Sequence, residues 1–133
     1  MESESMKMHL GPEDILRGKI VEPGWHEGVV KEVIESAAST DKSTNWKIVC
    51  VIREGGRYDG VPVERYFNEK APGFAINFLK SMGFLIEEKS GGDYDLQKTV
   101  GRPVAFFVET GEFQGTPNNK IKDFRPSQQT RTT

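Results

Sequence analysis

Residues 45–53 carry the pattern that most constrains the fold, because their side chains alternate between two faces. One face would hold Trp46, Ile48, Cys50 and Ile52. The other would hold Asn45, Lys47, Val49, Val51 and Arg53. A period of two residues is typical of a β-strand. A glycine-rich stretch at 55–60 and a second strand-like run at 61–67 follow, so this region predicts a β-hairpin.

Three more strands and one helix are predicted elsewhere in the chain. The strand patterns lie at 25–34, 104–108 and 120–124. A helix is predicted over 72–82, where Phe74, Phe78 and Met82 recur every four residues. Gly83 suits the position just after a helix. The glycine-rich residues 111–119 are predicted to form a loop.

This order of elements predicts an all-β protein, an OB-fold in which a helix lies between strands 3 and 4 of a five-stranded Greek-key barrel. Paired apolar residues break the alternation in the first strand, which favours a bulged strand shared by two sheets. A chain of 133 residues is sufficient for one domain. We expect a polar, loosely ordered lead-in at 1–20, the domain at 21–126 and a disordered tail at 127–133.

Composition argues against several classes of function. One cysteine and two histidines exclude a disulfide framework or a zinc site of several Cys and His ligands. The sequence contains no local catalytic motif, so we expect a protein that is not an enzyme and needs no cofactor or metal. It also has no apolar run of about 20 residues. The expected location is therefore the cytoplasm, without membrane contact.

Charge is distributed unevenly along the chain. The net charge of −2 does not indicate a protein that coats duplex DNA. The first 41 residues hold 9 acidic and 4 basic side chains, whereas residues 114–133 hold 1 acidic and 4 basic side chains. A local cationic groove therefore remains possible despite the acidic total.

Aromatic and basic residues interleave on the predicted hairpin and its neighbours. Proteins that bind single strands use cations to follow the phosphates and flat rings on which bases stack. The candidate stacking residues are Trp46, Tyr58, Tyr66 and Phe113. The candidate phosphate contacts are Lys47, Arg53, Arg57, Arg65, Lys120 and Lys122. The groove would cross the outer face of strands 2 and 3, between the 54–60 and 111–119 loops. Trp46 fits the core and the groove equally well, whereas Phe67 is expected in the core.

Six runs in the chain carry a further signal: PGWHEGVVKEV, NWKIVCVI, VERYFNE, FLKSMGF, DLQKTVGRPVAFFVE and NNKIKDFRP. Together they resemble bacteriophage single-stranded DNA-binding proteins of OB-fold type, over about residues 20–126. The resemblance implies sequence-tolerant binding of single-stranded DNA in replication, recombination or repair, in the host cytoplasm. Phage or host replication and recombination proteins would be further partners. Either a monomer or a homodimer would fit.

The chain departs from the resemblance at its C-terminus. Many single-strand binding proteins end in an acidic tail that recruits other enzymes, but here the tail RPSQQTRTT contains two Arg and no acidic residue. Two other functions remain open. One is an RNA-binding OB domain, because stacking does not distinguish the two sugars. The other is a protein–protein interaction module in which the aromatic residues anchor a partner.

Overall fold

Five strands make up most of the fold. The computed structural model describes residues 6–128, except for the side chain of Phe113. The strands are β1 (Gly24–Ala37), β2 (Thr44–Ile52), β3 (Pro62–Asn68), β4 (Pro103–Phe113) and β5 (Thr116–Arg125). The helices are α1 (Pro12–Arg17), within the predicted lead-in, and α2 (Gly73–Ser81), with a 3₁₀ turn at Leu96–Thr99. Within residues 6–128, no helix is long and apolar enough to cross a membrane.

The five strands form one closed sheet. Their order is β1-β2-β3-β5-β4, and β4 pairs again with β1. The pairs are antiparallel except for β3 with β5, which run parallel and meet at Glu64 and Lys120. The predictions of a mainly β chain and of a helix between the third and fourth strands are confirmed.

Strand β1 pairs with two neighbouring strands, as the broken alternation of its apolar residues predicts. Its first half pairs with β4 and its second half with β2, with a register shift between Val30 and Glu32. Gly28 lies where the two pairings overlap. A Cβ atom at this position would lie 2.1 Å from the carbonyl oxygen of Val51 and 2.9 Å from the ring of Phe106. The close approach of these groups requires glycine.

The core lies inside the closed sheet and beneath α2. Ile48, Cys50 and Ile52 of β2 are fully buried, as their shared face predicts. Phe78 of α2 is also fully buried and packs on Phe124 of β5, with ring centroids 4.7 Å apart. Helix α2 ends at the predicted place, because Gly83 adopts a φ of 90° just beyond it.

The prediction of a loop over residues 111–119 is wrong. Strands β4 and β5 continue through this segment and pair up to Phe113 and Thr116. The turn consists of Gln114 and Gly115, whose φ angles of 52° and 81° match a two-residue hairpin turn with left-handed backbone. Gly111 and Pro117 are typical of loops, but here they are paired strand residues, and only Gln114 and Gly115 turn the chain. The β4–β5 hairpin is therefore longer than predicted.

Candidate nucleic-acid interface

An open cleft of about 780 Å³ lies along the outer face of β3. Its walls are the C-terminal end of α1 with the residues that follow it, the strand β3, and residues 116–120 of β5. The cleft lies where the sheet is least tightly paired, because the parallel contact of β3 and β5 is short. An elongated ligand could therefore lie against the sheet at this place.

Tyr66 presents its ring beside this cleft. It is 58% exposed and is the cross-strand partner of Lys47 on β2. The Lys47 Nζ atom lies 5.7 Å from the centroid of the Tyr66 ring and 3.7 Å from Glu64. The structure thus brings one predicted stacking residue together with one predicted phosphate contact. The ring is open to stacking, and the ammonium group lies where it could meet a neighbouring phosphate.

Three other cationic residues border the cleft. Lys120 is exposed and enters from β5, and Arg17 from α1 is exposed while bonded to Asp14. Arg65 is on β3 beside Tyr66, but adjacent strand residues face opposite sides. Its guanidinium carbon lies 4.4 Å from the centroid of the Phe74 ring. The group also donates a hydrogen bond of 3.2 Å to the carbonyl of Ile121, so Arg65 joins α2 to β5.

Trp46 lies on the core side of β2. Its ring stacks on that of Phe67, its partner on β3, with centroids 5.4 Å apart and planes 27° apart. Phe67 is buried as predicted, and the half-buried indole packs against the core. The indole N–H donates a hydrogen bond of 3.1 Å to Glu35. Trp46 therefore does not share a face with Tyr66.

The loop between β2 and β3 holds a separate aromatic and basic pair. The guanidinium of Arg57 lies 4.8 Å from the ring centroid of Tyr58 and 3.6 Å from the carboxylate of Glu22. Tyr58 is half-buried, with its ring edge-on to that of His26 at 6.0 Å. Arg53 is exposed just beyond β2. These three predicted site residues are not among those that line the cleft.

The two remaining candidates lie on β4 and β5. Lys122 is exposed, and its ammonium group lies 5.9 Å from the ring centroid of Phe107. It is not among the residues that line the cleft. Phe113 belongs to the backbone of β4, but its side chain lies outside the described part of the chain. From the predicted set, Arg65, Tyr66 and Lys120 therefore line the cleft, and Lys47 lies beside Tyr66.

The sequence-based reasoning missed one wall of the cleft. Residues 17–20 form this wall, and the side chain of Asn119 fixes it. Its amide oxygen accepts a hydrogen bond of 2.8 Å from the backbone N–H of Val21, and its amide nitrogen donates one of 2.7 Å to the carbonyl of Lys19. A helix signal was present nearby, since Pro12 with acidic residues after it is typical of a helix N-terminus.

Two carboxylates stabilise the loops at either end of the β2–β3 hairpin. Hydrogen bonds from Lys70 and Ser43 lower the pKa of Asp41 to about 2. Backbone N–H groups of the 54–56 turn lower the pKa of Asp59. Both carboxylates therefore stay ionised near neutral pH, and each holds its loop in one conformation.

Cys50 is the one cysteine of the chain and is buried in β2. Burial raises the pKa of the Cys50 thiol, so it stays protonated at neutral pH and is a poor nucleophile. Within residues 6–128, no three His, Cys, Asp or Glu side chains lie close enough together to hold a metal ion.

Comparisons with known proteins add no assignment. No protein-family model matches the sequence, and a search of curated proteins gives no match. The cleft and the residues around Tyr66 are therefore the features from which a function can be inferred.

Proposed function

We propose that this protein adopts an OB-fold and binds single-stranded DNA with little sequence preference. The strand would cross the outer face of β2 and β3 and lie in the cleft between β3 and β5. The closed strand order β1-β2-β3-β5-β4, with a helix between β3 and β4, supports the fold. In OB-folds, oligonucleotides bind across the face of strands 2 and 3 and the loops beside it.

The observation that carries the proposal is the exposed ring of Tyr66 beside the ammonium group of Lys47. The exposed ring offers a flat face on which a base can stack, and the ammonium group beside it can meet the phosphate. Stacking is worth about 1–3 kcal/mol per base and does not depend on which base it is. The cleft provides room for the strand beside that base.

The cations around the cleft would supply the electrostatic part of binding. Arg17 and Lys120 line it and Lys47 lies beside Tyr66, in a chain whose net charge is −2. Binding must therefore depend on local rather than total charge. If these three residues neutralise phosphates, log K falls with log[salt] at a slope of about −2, from about −0.7 per contact on a single strand.

The central test is the binding of labelled oligo(dT) to Tyr66 variants, measured by fluorescence polarisation. Tyr66→Ala should weaken binding by about 1–3 kcal/mol and leave thermal melting unchanged, because the ring is exposed. Tyr66→Phe retains the ring and should bind within about twofold of wild type. Normal binding by Tyr66→Ala would exclude this face as the site.

A lysine pair provides the matched electrostatic control. Lys47 and Lys80 each lie within 4.0 Å of one glutamate, but Lys47 lies beside the ring of Tyr66, whereas Lys80 is on α2. Lys47→Ala should flatten the salt slope by about 0.7, and Lys80→Ala should not change it. The same loss in both variants would mean that net charge, and not the cleft, sets the affinity.

The role in a cell and the choice of nucleic acid follow from the same proposal. The resemblance of the sequence runs within residues 20–126 to phage single-strand binding proteins implies a function in the replication, recombination or repair of a phage genome, in the host cytoplasm with other replication proteins. Titration with oligo(rU) and with duplex separates the alternatives. Equal affinity for oligo(rU) would extend the function to RNA. Failure to bind any of the three would favour a protein-interaction module.

A further inference from the structure

A second aromatic and basic cluster lies on the outer face of β1, β4 and β5. Trp25 and Phe107 are cross-strand partners whose rings meet edge to face, with centroids 5.5 Å apart. The guanidinium of Arg125 lies 4.2 Å from the centroid of the Trp25 ring. The ammonium group of Lys122 lies 5.9 Å from that of Phe107. We call these four residues the Trp25 platform.

The Trp25 platform is accessible and carries two cations that form no ion pair within residues 6–128. Trp25 is 37% exposed, and both cationic side chains are on exposed residues. Two carboxylates share this face: Asp123, the cross-strand partner of Phe107, accepts a hydrogen bond from Asn77, and Glu27 accepts one from Ser127. Among residues 6–128, no carboxylate lies within ion-pair distance of Lys122 or Arg125. Lys122 and Arg125 can therefore meet the phosphates of a ligand without breaking an ion pair.

Strand β5 connects the Trp25 platform to the cleft. Lys120 borders the cleft, and Lys122 and Arg125 follow it on the same strand. Five residues of extended strand cover about 17 Å. These three cations, with Asp123 between the last two bonded to Asn77, offer a path for the phosphates of a strand that leaves the cleft at Lys120.

Resting on the proposed function, we propose that the Trp25 platform is a second contact surface for the same single strand of nucleic acid. A strand that fills the cleft continues along β5 and stacks one base on Trp25. The base takes the place of the guanidinium on the indole face, and Arg125 turns to the neighbouring phosphate. Oligonucleotides that span both surfaces then bind more tightly than those that fill only the cleft.

The test compares short and long oligo(dT), of about 5 and about 15 nucleotides, since OB-folds occupy about 4–16 nucleotides. In a Trp46→Phe background, Trp25 is the only tryptophan. Long oligo(dT) should quench its fluorescence, and short oligo(dT) should not. Trp25→Ala, and separately the double change Lys122→Ala and Arg125→Ala, should weaken long oligo(dT) binding at least about fivefold. Binding of the short oligonucleotide should change by less than about twofold.

A charge-matched control is the double change Lys80→Ala and Lys98→Ala, which removes two exposed cations outside the path. Its affinity for the long oligonucleotide should match wild type, and an equal loss in both double variants would overturn the proposal. Two further results would also overturn it: equal affinity of wild type for both lengths, or quenching of Trp25 by oligo-glutamate but not by long oligo(dT). Short oligo(dT) that still binds would leave the cleft as the site, whereas no binding at either length would overturn both proposals.

Discussion

Trp46 stacks on Phe67, its partner across β2 and β3, with ring centroids 5.4 Å apart. From the sequence, Trp46 fits the core and the groove equally well. This contact attaches its indole to the core. Phe67 in turn lies 6.0 Å from Phe74 of α2, and Phe74 lies 5.2 Å from Phe124 of β5. A row of rings thus runs from β2 to the helix and on to β5, and Trp46 is its outer end.

Trp46→Ala should lower the free energy of unfolding by about 2 kcal/mol. A fully buried tryptophan costs about 3–5 kcal/mol when truncated, and this indole is only half-buried. Urea denaturation measures the change, and oligo(dT) binding in the cleft should stay within about twofold of wild type. Trp46→Phe retains a ring on Phe67 and serves as the control. Normal stability of Trp46→Ala with weakened binding would instead assign the indole to the interface.

Gly28→Ala should destabilise the fold by about 3 kcal/mol or more. The new Cβ would meet the carbonyl oxygen of Val51 at 2.1 Å, and a backbone atom cannot yield as a flexible side chain can. Gly56→Ala is the matched control, because a Cβ at that position meets nothing within 4 Å. Thermal melting should show a large loss for the first variant and a change within about 0.5 kcal/mol for the second. Similar melting of both variants would mean that β1 and β2 can separate at Gly28 without cost.

Asp41→Asn should destabilise the protein at neutral pH but not in strong acid. The pKa of Asp41 falls from 3.8 to about 2 on folding, chiefly through Lys70 and Ser43. A lowered folded-state pKa stabilises the protein above the unfolded value, and this contribution is lost as pH falls toward 2. The melting temperatures of wild type and variant should therefore converge between about pH 4 and pH 2.

Asp93→Asn is the control for that pH series, because Asp93 is an exposed aspartate in the loop before the 3₁₀ turn. It should melt as wild type does at every pH. A gap between wild type and Asp41→Asn that stays constant with pH would mean that the carboxylate charge contributes nothing to stability.

Local patterns predicted the elements of this fold but not the contacts between them. The alternation at 45–53 identified β2 and its buried face, since burial on one side of a strand is visible within nine residues. Alternation along β3 points the side chains of Arg65 and Tyr66 to opposite faces. The groove prediction included both residues, but the guanidinium of Arg65 contacts Phe74 and Ile121. Trp25 and Phe107 are far apart in the chain and meet only because β1 pairs with β4. The Trp25 platform therefore has no local signal.

The wall of the cleft depends on a contact that no local pattern predicts, and its test is Asn119→Ala. The substitution removes both hydrogen bonds to the backbone of residues 19 and 21, across about 100 positions of sequence. Each is worth about 1 kcal/mol, so the free energy of unfolding should fall by about 2 kcal/mol. Hydrogen exchange at the Val21 amide should accelerate more than exchange in the β2 core, because the segment can open locally. Asn118→Ala is the control, since Asn118 is an exposed neighbour on the same strand. Unchanged protection of Val21 in Asn119→Ala would mean that the N-terminal segment is held against β5 by other contacts.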